Sequence, residues 1–122
     1  AVLPDNSFSW KILVVDDDEM LLRFLKRGLT RRGLKPLLAA NGEEALALLS
    51  ANTDIRAVLL DVNLEGTTGA VVMARIRQQR PGMPVFLMTG YEPGMVSGLS
   101  MASGFLQKPF LIEDVMAMLA GG

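Results

Sequence analysis

Three short apolar runs constrain the fold of this chain more than any other feature. Ile12–Val15, Ala57–Leu60 and Val85–Met88 each place four apolar residues in a row and leave no polar face. A strand that is apolar on both faces belongs inside a parallel sheet covered by helices on either side. Each run then stops at chemistry. The first ends in Asp16, Asp17 and Asp18, the second in Asp61, and the third in Thr89 and Gly90. Two like charges ~4 Å apart repel by roughly 4 kcal/mol at an effective dielectric of 20. The acid triplet therefore needs water, a metal or a cation, and reads either as a helix cap with a solvated first turn or as half of a divalent-cation site.

Helical periodicity fills the gaps between the runs. Leu21, Leu22, Leu25 and Leu29 predict a first helix over Glu19–Arg32 that stops at Gly33. Lys35–Ala40 predicts a second strand, and Pro36, which lacks a ladder donor, puts it at an edge. Asn41-Gly42 opens a helix carrying Ala45, Leu46, Leu48 and Leu49. A loop from Asn63 to Gly69 follows, with Gly66 and Gly69 free to take positive φ, and Thr68 caps a third helix whose inner side holds Val72, Met73 and Ile76. The stretch Tyr91–Gly104 carries three glycines and weak patterning, so a fourth helix there is short or irregular. Phe105–Gln107 is a brief strand before Lys108-Pro109, and Ile112, Val115, Met116 and Leu119 mark the last helix. The alternation specifies an α/β, doubly wound, three-layer (βα)5 sandwich of flavodoxin type with strand order 2-1-3-4-5. Residues 1–10 show no periodicity and read as a linker or arm, with Phe8 and Trp10 pinned to the surface, ahead of a domain over residues 11–120.

Composition narrows the chemistry. The 122 residues suffice for one domain with a sizeable core. The chain has no cysteine and no histidine. That removes disulfides, thiolate sites and the commonest general base, leaves carboxylates for a hard cation such as Mg²⁺, and fits a cytoplasmic address. A net charge of −1 gives no case for direct nucleic-acid binding, and no apolar run approaches a membrane span.

In a parallel sheet the C-terminal strand ends are neighbours, so Asp16, Asp17, Asp61, Thr89 and Lys108 converge on one crevice. Clustered carboxylates hold Mg²⁺, a carboxylate can accept a phosphoryl group, and phosphoryl transfer needs mainly positioning and charge neutralisation. At this point the sequence resembles the receiver (CheY-like) domain of two-component response regulators. The likeness is carried by Val15-Asp16-Asp17, Leu60-Asp61 with Asn63 and Gly69, Val85 to Thr89-Gly90, and Lys108-Pro109-Phe110. The successive anchors from Asp16 lie 45, 28 and 19 residues apart.

The resemblance implies that Asp61 is the phosphoacceptor. It implies that Asp17, Asp61 and the backbone carbonyl of Asn63 ligate Mg²⁺, with Asp16 acting largely through water. Thr89 and Lys108 would contact the phosphoryl group, Thr89 and Phe105 would form the switch pair, and the Lys108-Pro109 bond would be cis. It also implies that a histidine kinase or histidine phosphotransfer domain is the phosphodonor. Blander readings stand beside these. Asp18 suits a helix cap, Phe105 a core position and Asn63 a turn, while Tyr91, two residues after Thr89, is placed to shield a phosphoryl group.

The chain departs from the family pattern at Glu65, Thr68 and Gly90, and its Thr89–Lys108 segment is short. That style resembles receivers at the C-terminus of hybrid sensor histidine kinases, with a response regulator as the other host. A Mg²⁺-dependent phosphatase or phosphotransferase acting through an aspartyl-phosphate is the alternative function. The absence of an acid two residues after Asp61 argues against it.

Overall fold

A computed structural model describes residues 10–121. The elements run β1 (Lys11–Val15), α1 (Glu19–Arg31), β2 (Lys35–Ala39), α2 (Gly42–Ala51), β3 (Ile55–Asp61), α3 (Gly69–Gln79), β4 (Val85–Thr89), β5 (Gly104–Gln107) and α4 (Ile112–Leu119). All five strands pair in parallel in the order β2-β1-β3-β4-β5, the doubly wound arrangement expected.

Strand alternation divides the core in two. On one face Ile12, Val14, Ala57, Leu59, Phe86 and Met88 pack against Leu22, Leu25 and Leu29 of α1 and Val115 and Leu119 of α4. On the other, Leu13, Val15, Val58, Leu60 and Leu87 pack against Leu49 of α2 and Val72, Met73 and Ile76 of α3. The three apolar runs are therefore buried on both sides, as their composition requires.

Helix starts follow their caps. Asp18 Oδ1 accepts from the Met20 and Leu21 amides at 3.0 and 3.4 Å. Asn41 Oδ1 accepts from the Glu44 amide at 2.9 Å, and Thr68 Oγ1 from the Val71 amide at 3.3 Å. Each satisfies an amide that the first helical turn leaves open.

Three details differ from the sequence-based expectations. Trp10 is buried in the α1/α4 half of the core rather than lying at the surface, and its backbone carbonyl accepts from the Lys35 amide at 2.7 Å. Phe8 lies outside the described residues, as does most of the expected arm. The loop after β3 contains a two-residue hairpin, Asn63–Leu64 against Thr67–Thr68, turning at Gly66 with φ of 80°. Gly69 does not use positive φ. Its lack of a side chain serves close packing instead, because a Cβ there would stand 2.6 Å from the Asp61 carbonyl oxygen.

In place of a helix between β4 and β5 there are two single 3-10 turns, Pro93–Met95 and Leu99–Met101. Arg77 of α3 secures the far end of this segment, donating to the carbonyls of Met83 (3.3 Å) and Met101 and to Ser103 Oγ (3.4 Å). Ser103 Oγ in turn accepts from the Val85 amide at 3.1 Å.

Candidate functional site

The sheet register brings the polar strand ends level. Val15 pairs with Leu60, Asp61 with Met88, and Thr89 with Gln107. Asp16 and Asp17 leave the end of β1, Asp61 closes β3, Thr89 closes β4, and Lys108 follows β5. The Asp16 amide donates to the Ala39 carbonyl, the Val62 amide to Met88 and the Lys108 amide to Thr89, so the backbone around the crevice is itself held.

At the centre is Lys108. Its Nζ lies 2.9 Å from Asp16 Oδ2 and 3.0 Å from Asp61 Oδ1. Asp16 is almost fully buried, and its other carboxylate oxygen accepts from the Asp18 amide at 2.9 Å. Asp61 is also buried, whereas Asp17 is exposed. One carboxylate oxygen from each of Asp16, Asp17 and Asp61 falls within 4.8 Å of the others. Three hard oxygen donors in a chain without histidine or cysteine suit Mg²⁺, which prefers oxygen ligands and keeps several of its waters.

Burial pushes the Asp61 carboxyl above the usual carboxylate range. Its hydrogen bond to Lys108 opposes this, and the charges of Asp16 and Asp17 reinforce it. For Lys108, burial alone would lower the pKa. Hydrogen bonds to Asp16 and Asp61, with their negative charges, outweigh burial and raise it. The lysine is thus charged, and it partly neutralises a crevice that would otherwise hold concentrated negative charge.

Thr89 is fully buried, and its Oγ1 accepts from the Tyr91 amide at 2.9 Å. Phe105 is 41% exposed and Tyr91 50%, so both rings reach the surface. Asn63 sits in the hairpin opposite Thr68 and is exposed. The Lys108-Pro109 peptide is cis. The candidate residues Asp16, Asp17, Asp61 and Lys108 are thus brought together. The sequence singles out Gly69 for conformational freedom and as part of the family likeness, not for close packing. Its part in fixing the backbone behind Asp61 had no sequence signal beyond a glycine opening a capped helix.

A chain with this sheet order and these strand ends can be placed among known proteins. Residues 12–120 match the family model of the response regulator receiver domain, and the chain belongs to that family. It is 38% identical over 112 residues to the transcriptional regulatory protein TcrA of Mycobacterium tuberculosis, aligning 89% of this chain with 44% of that protein. The chain spans about half the length of such curated relatives. Among solved structures it resembles the chemotaxis protein CheY4 of Vibrio cholerae, with a TM-score of 0.86 and 27% identity over 93% of this chain and 98% of that one. It also resembles the response regulator TrrA of Thermotoga maritima in complex with Mg²⁺-BeF, with a TM-score of 0.82 and 27% identity over 92% and 97%. Among the described residues, no helix is long and apolar enough to cross a membrane.

Proposed function

We propose that this domain accepts a phosphoryl group on Asp61 from a phosphohistidine and changes conformation as a result. The single observation that carries the reading is the ammonium of Lys108, 3.0 Å from Asp61 Oδ1 and shared with Asp16. The chain contains no histidine, so the donor is another domain or protein. A carboxylate oxygen of Asp61 attacks phosphorus, the P–N bond breaks, and its electron pair leaves with the imidazole. Asp61 then carries an acyl phosphate. Lys108, already in place, pairs with a phosphoryl oxygen. Thr89 Oγ1 releases the Tyr91 amide and turns to donate to a phosphoryl oxygen, and Phe105 moves inward from its exposed position.

Asp16, Asp17, Asp61 and the backbone carbonyl of Asn63 would hold Mg²⁺, with Asp16 acting largely through water. When bound, the ion supplies positive charge that neutralises the transferring group. The negative charge added at Asp61 biases two conformations, and the output is that population shift.

Two host chains each have support. The relatives' greater length supports a response regulator with a further output region. The pair of 3-10 turns in place of a fourth helix supports the hybrid sensor histidine kinase.

The test is to incubate the domain with Mg²⁺ and acetyl phosphate. The expected result is addition of one acid-stable, base-labile phosphoryl group that is absent from Asp61→Asn. No addition, or one that survives the substitution, sinks the reading.

A further inference from the structure

A cleft between α2, α3 and the hairpin after β3 carries charge of both signs that the domain leaves uncompensated. It holds about 520 Å³, within the ~300–1,000 Å³ of small-molecule sites. Leu46, Val71 and Val72 give it an apolar lining, and Val71 is 51% exposed. Glu43 of α2, Glu65 of the hairpin turn and Arg75 of α3 border it. Among the described residues, none of these three makes an ion pair. Close approach of the two helices shapes the cleft, since a Cβ at Gly42 would stand 2.9 Å from Val72 Cγ2.

The hairpin wall leads back to the acidic crevice. Its turn joins Asn63-Leu64 to Thr67-Thr68, and the Gly69 amide just beyond donates to the Val62 carbonyl at 2.8 Å. The wall that carries Glu65 is therefore continuous with Asp61 and with Asn63, whose carbonyl would hold Mg²⁺.

We propose that this cleft binds a small zwitterion with an apolar body and separated charges, the chemistry of a short apolar peptide with free termini, and that its occupancy favours Mg²⁺ at the acids. A simple cation would suit Glu43 and Glu65 but would meet the guanidinium of Arg75. A simple anion would suit Arg75 but would meet the two carboxylates. A ligand bearing both charges satisfies all three, with its carboxylate on Arg75, its ammonium on Glu43 and Glu65, and its side chains over Leu46, Val71 and Val72. Because the three charged groups stand on separate elements and do not pair with one another, the ligand's own charges must lie apart. A ligand seated there holds the hairpin, and with it the Asn63 carbonyl. By linkage, Mg²⁺ then tightens the ligand by the same factor as the ligand tightens Mg²⁺. This coupling rests on the reading of Asp61 and Asn63 as Mg²⁺ ligands.

The test titrates the ¹⁵N-labelled domain with the dipeptide Leu-Leu and follows its backbone amides. Saturable shifts are expected at Gly42, Gly66, Thr67 and Val71, with affinity about 3-fold or more higher in Mg²⁺ than in chelator. The C-terminal amide and the N-acetyl form of the dipeptide should each bind about 5-fold or more weakly. Arg75→Gln should remove the discrimination against the amide alone, and Glu43→Gln/Glu65→Gln that against the N-acetyl form alone. This pairing of each charge with one terminus is something that a merely structural role would not produce. No saturable shift up to the solubility limit of the dipeptide, or equal binding of the blocked forms, overturns the ligand site. Shifts at the same amides on raising protein concentration without peptide overturn it too, and assign the cleft to a second copy of the chain. Equal affinity in Mg²⁺ and in chelator overturns the coupling. Failure of acetyl phosphate to label a domain that binds the dipeptide in a Mg²⁺-dependent way overturns the phosphoacceptor reading and leaves the cleft standing.

Discussion

The ammonium of Lys108 lies 3.0 Å from Oδ1 of Asp61, and the same nitrogen contacts Asp16 at 2.9 Å. One side chain, just past the end of β5, thus stands between carboxylates delivered by β1 and β3. In the absence of a metal it is the only cation that these contacts bring to the two buried acids, among the described residues.

Replacing Lys108 with methionine should lower stability by about 1–3 kcal/mol at neutral pH in chelator, because two buried carboxylates lose their partner. The raised pKa of Lys108 fixes the pH dependence. Its contribution is fully present below the unfolded value of 10.5 and is lost as pH rises through the higher folded value. Urea unfolding across the alkaline range should show the wild-type and Lys108→Met curves converging. Curves that stay parallel would rule out a stabilising role for the pair.

Asp61 works in the opposite direction. Its carboxyl holds its proton more tightly in the folded than in the unfolded chain, so stability falls as pH rises from about 3.8 through the folded pKa. Without metal, Asp61→Asn should therefore be more stable than wild type at neutral pH, with the gap closing in acid. Adding Mg²⁺ should raise the melting temperature of wild type more than that of the variant. A wild type more stable than the variant in chelator would contradict this.

Gly69→Ala should destabilise by about 1–3 kcal/mol and slow labelling by acetyl phosphate, because its Cβ would press 2.6 Å from the Asp61 carbonyl oxygen and 2.9 Å from Val62 Cα. Gly82, with nothing within 4 Å of a built Cβ, is the control, and Gly82→Ala should change stability by no more than about 0.5 kcal/mol. Chemical denaturation of the two variants side by side checks both.

Arg77→Ala should free the Met83 and Met101 carbonyls and Ser103 Oγ from a shared donor, at about 1–2 kcal/mol. Hydrogen exchange should quicken over residues 96–103 and stay unchanged in β1 and β3. Uniform acceleration across the sheet would show that Arg77 holds the whole fold rather than this segment.

The parts of the fold legible in sequence are those whose environment is written into the residue types. Ile12–Val15, Ala57–Leu60 and Val85–Met88 can only be strands covered on both faces, and Asp18, Asn41 and Thr68 are oxygen-bearing residues placed where a helix needs a cap. The crevice followed from the order of the strand ends, since a parallel sheet makes them neighbours. Features set by a distant partner were not legible. Trp10 reads as part of a polar arm until α1 and α4 are seen to enclose it, and the hairpin at Asn63 consists of two residue pairs, too few to show a period. Gly69 looks like a flexible residue, and only the position of the Asp61 carbonyl shows that space rather than φ is what it supplies. The exposed setting of Phe105 is likewise not written into an aromatic residue type, which suits a core position as well.

Trp10 is the chain's only tryptophan, buried just before β1, while Asp16 and Asp17 leave that strand's other end. Five strand residues at about 3.3 Å each separate the indole from the acids by roughly 17 Å. Its emission is therefore a reporter of the closed end of the sheet. Ions bound at the acidic end should leave that fluorescence almost untouched, whereas unfolding should move the indole into water and shift it to the red. The molecule carries its own optical control, able to separate a change at the crevice from loss of the fold in a single cuvette.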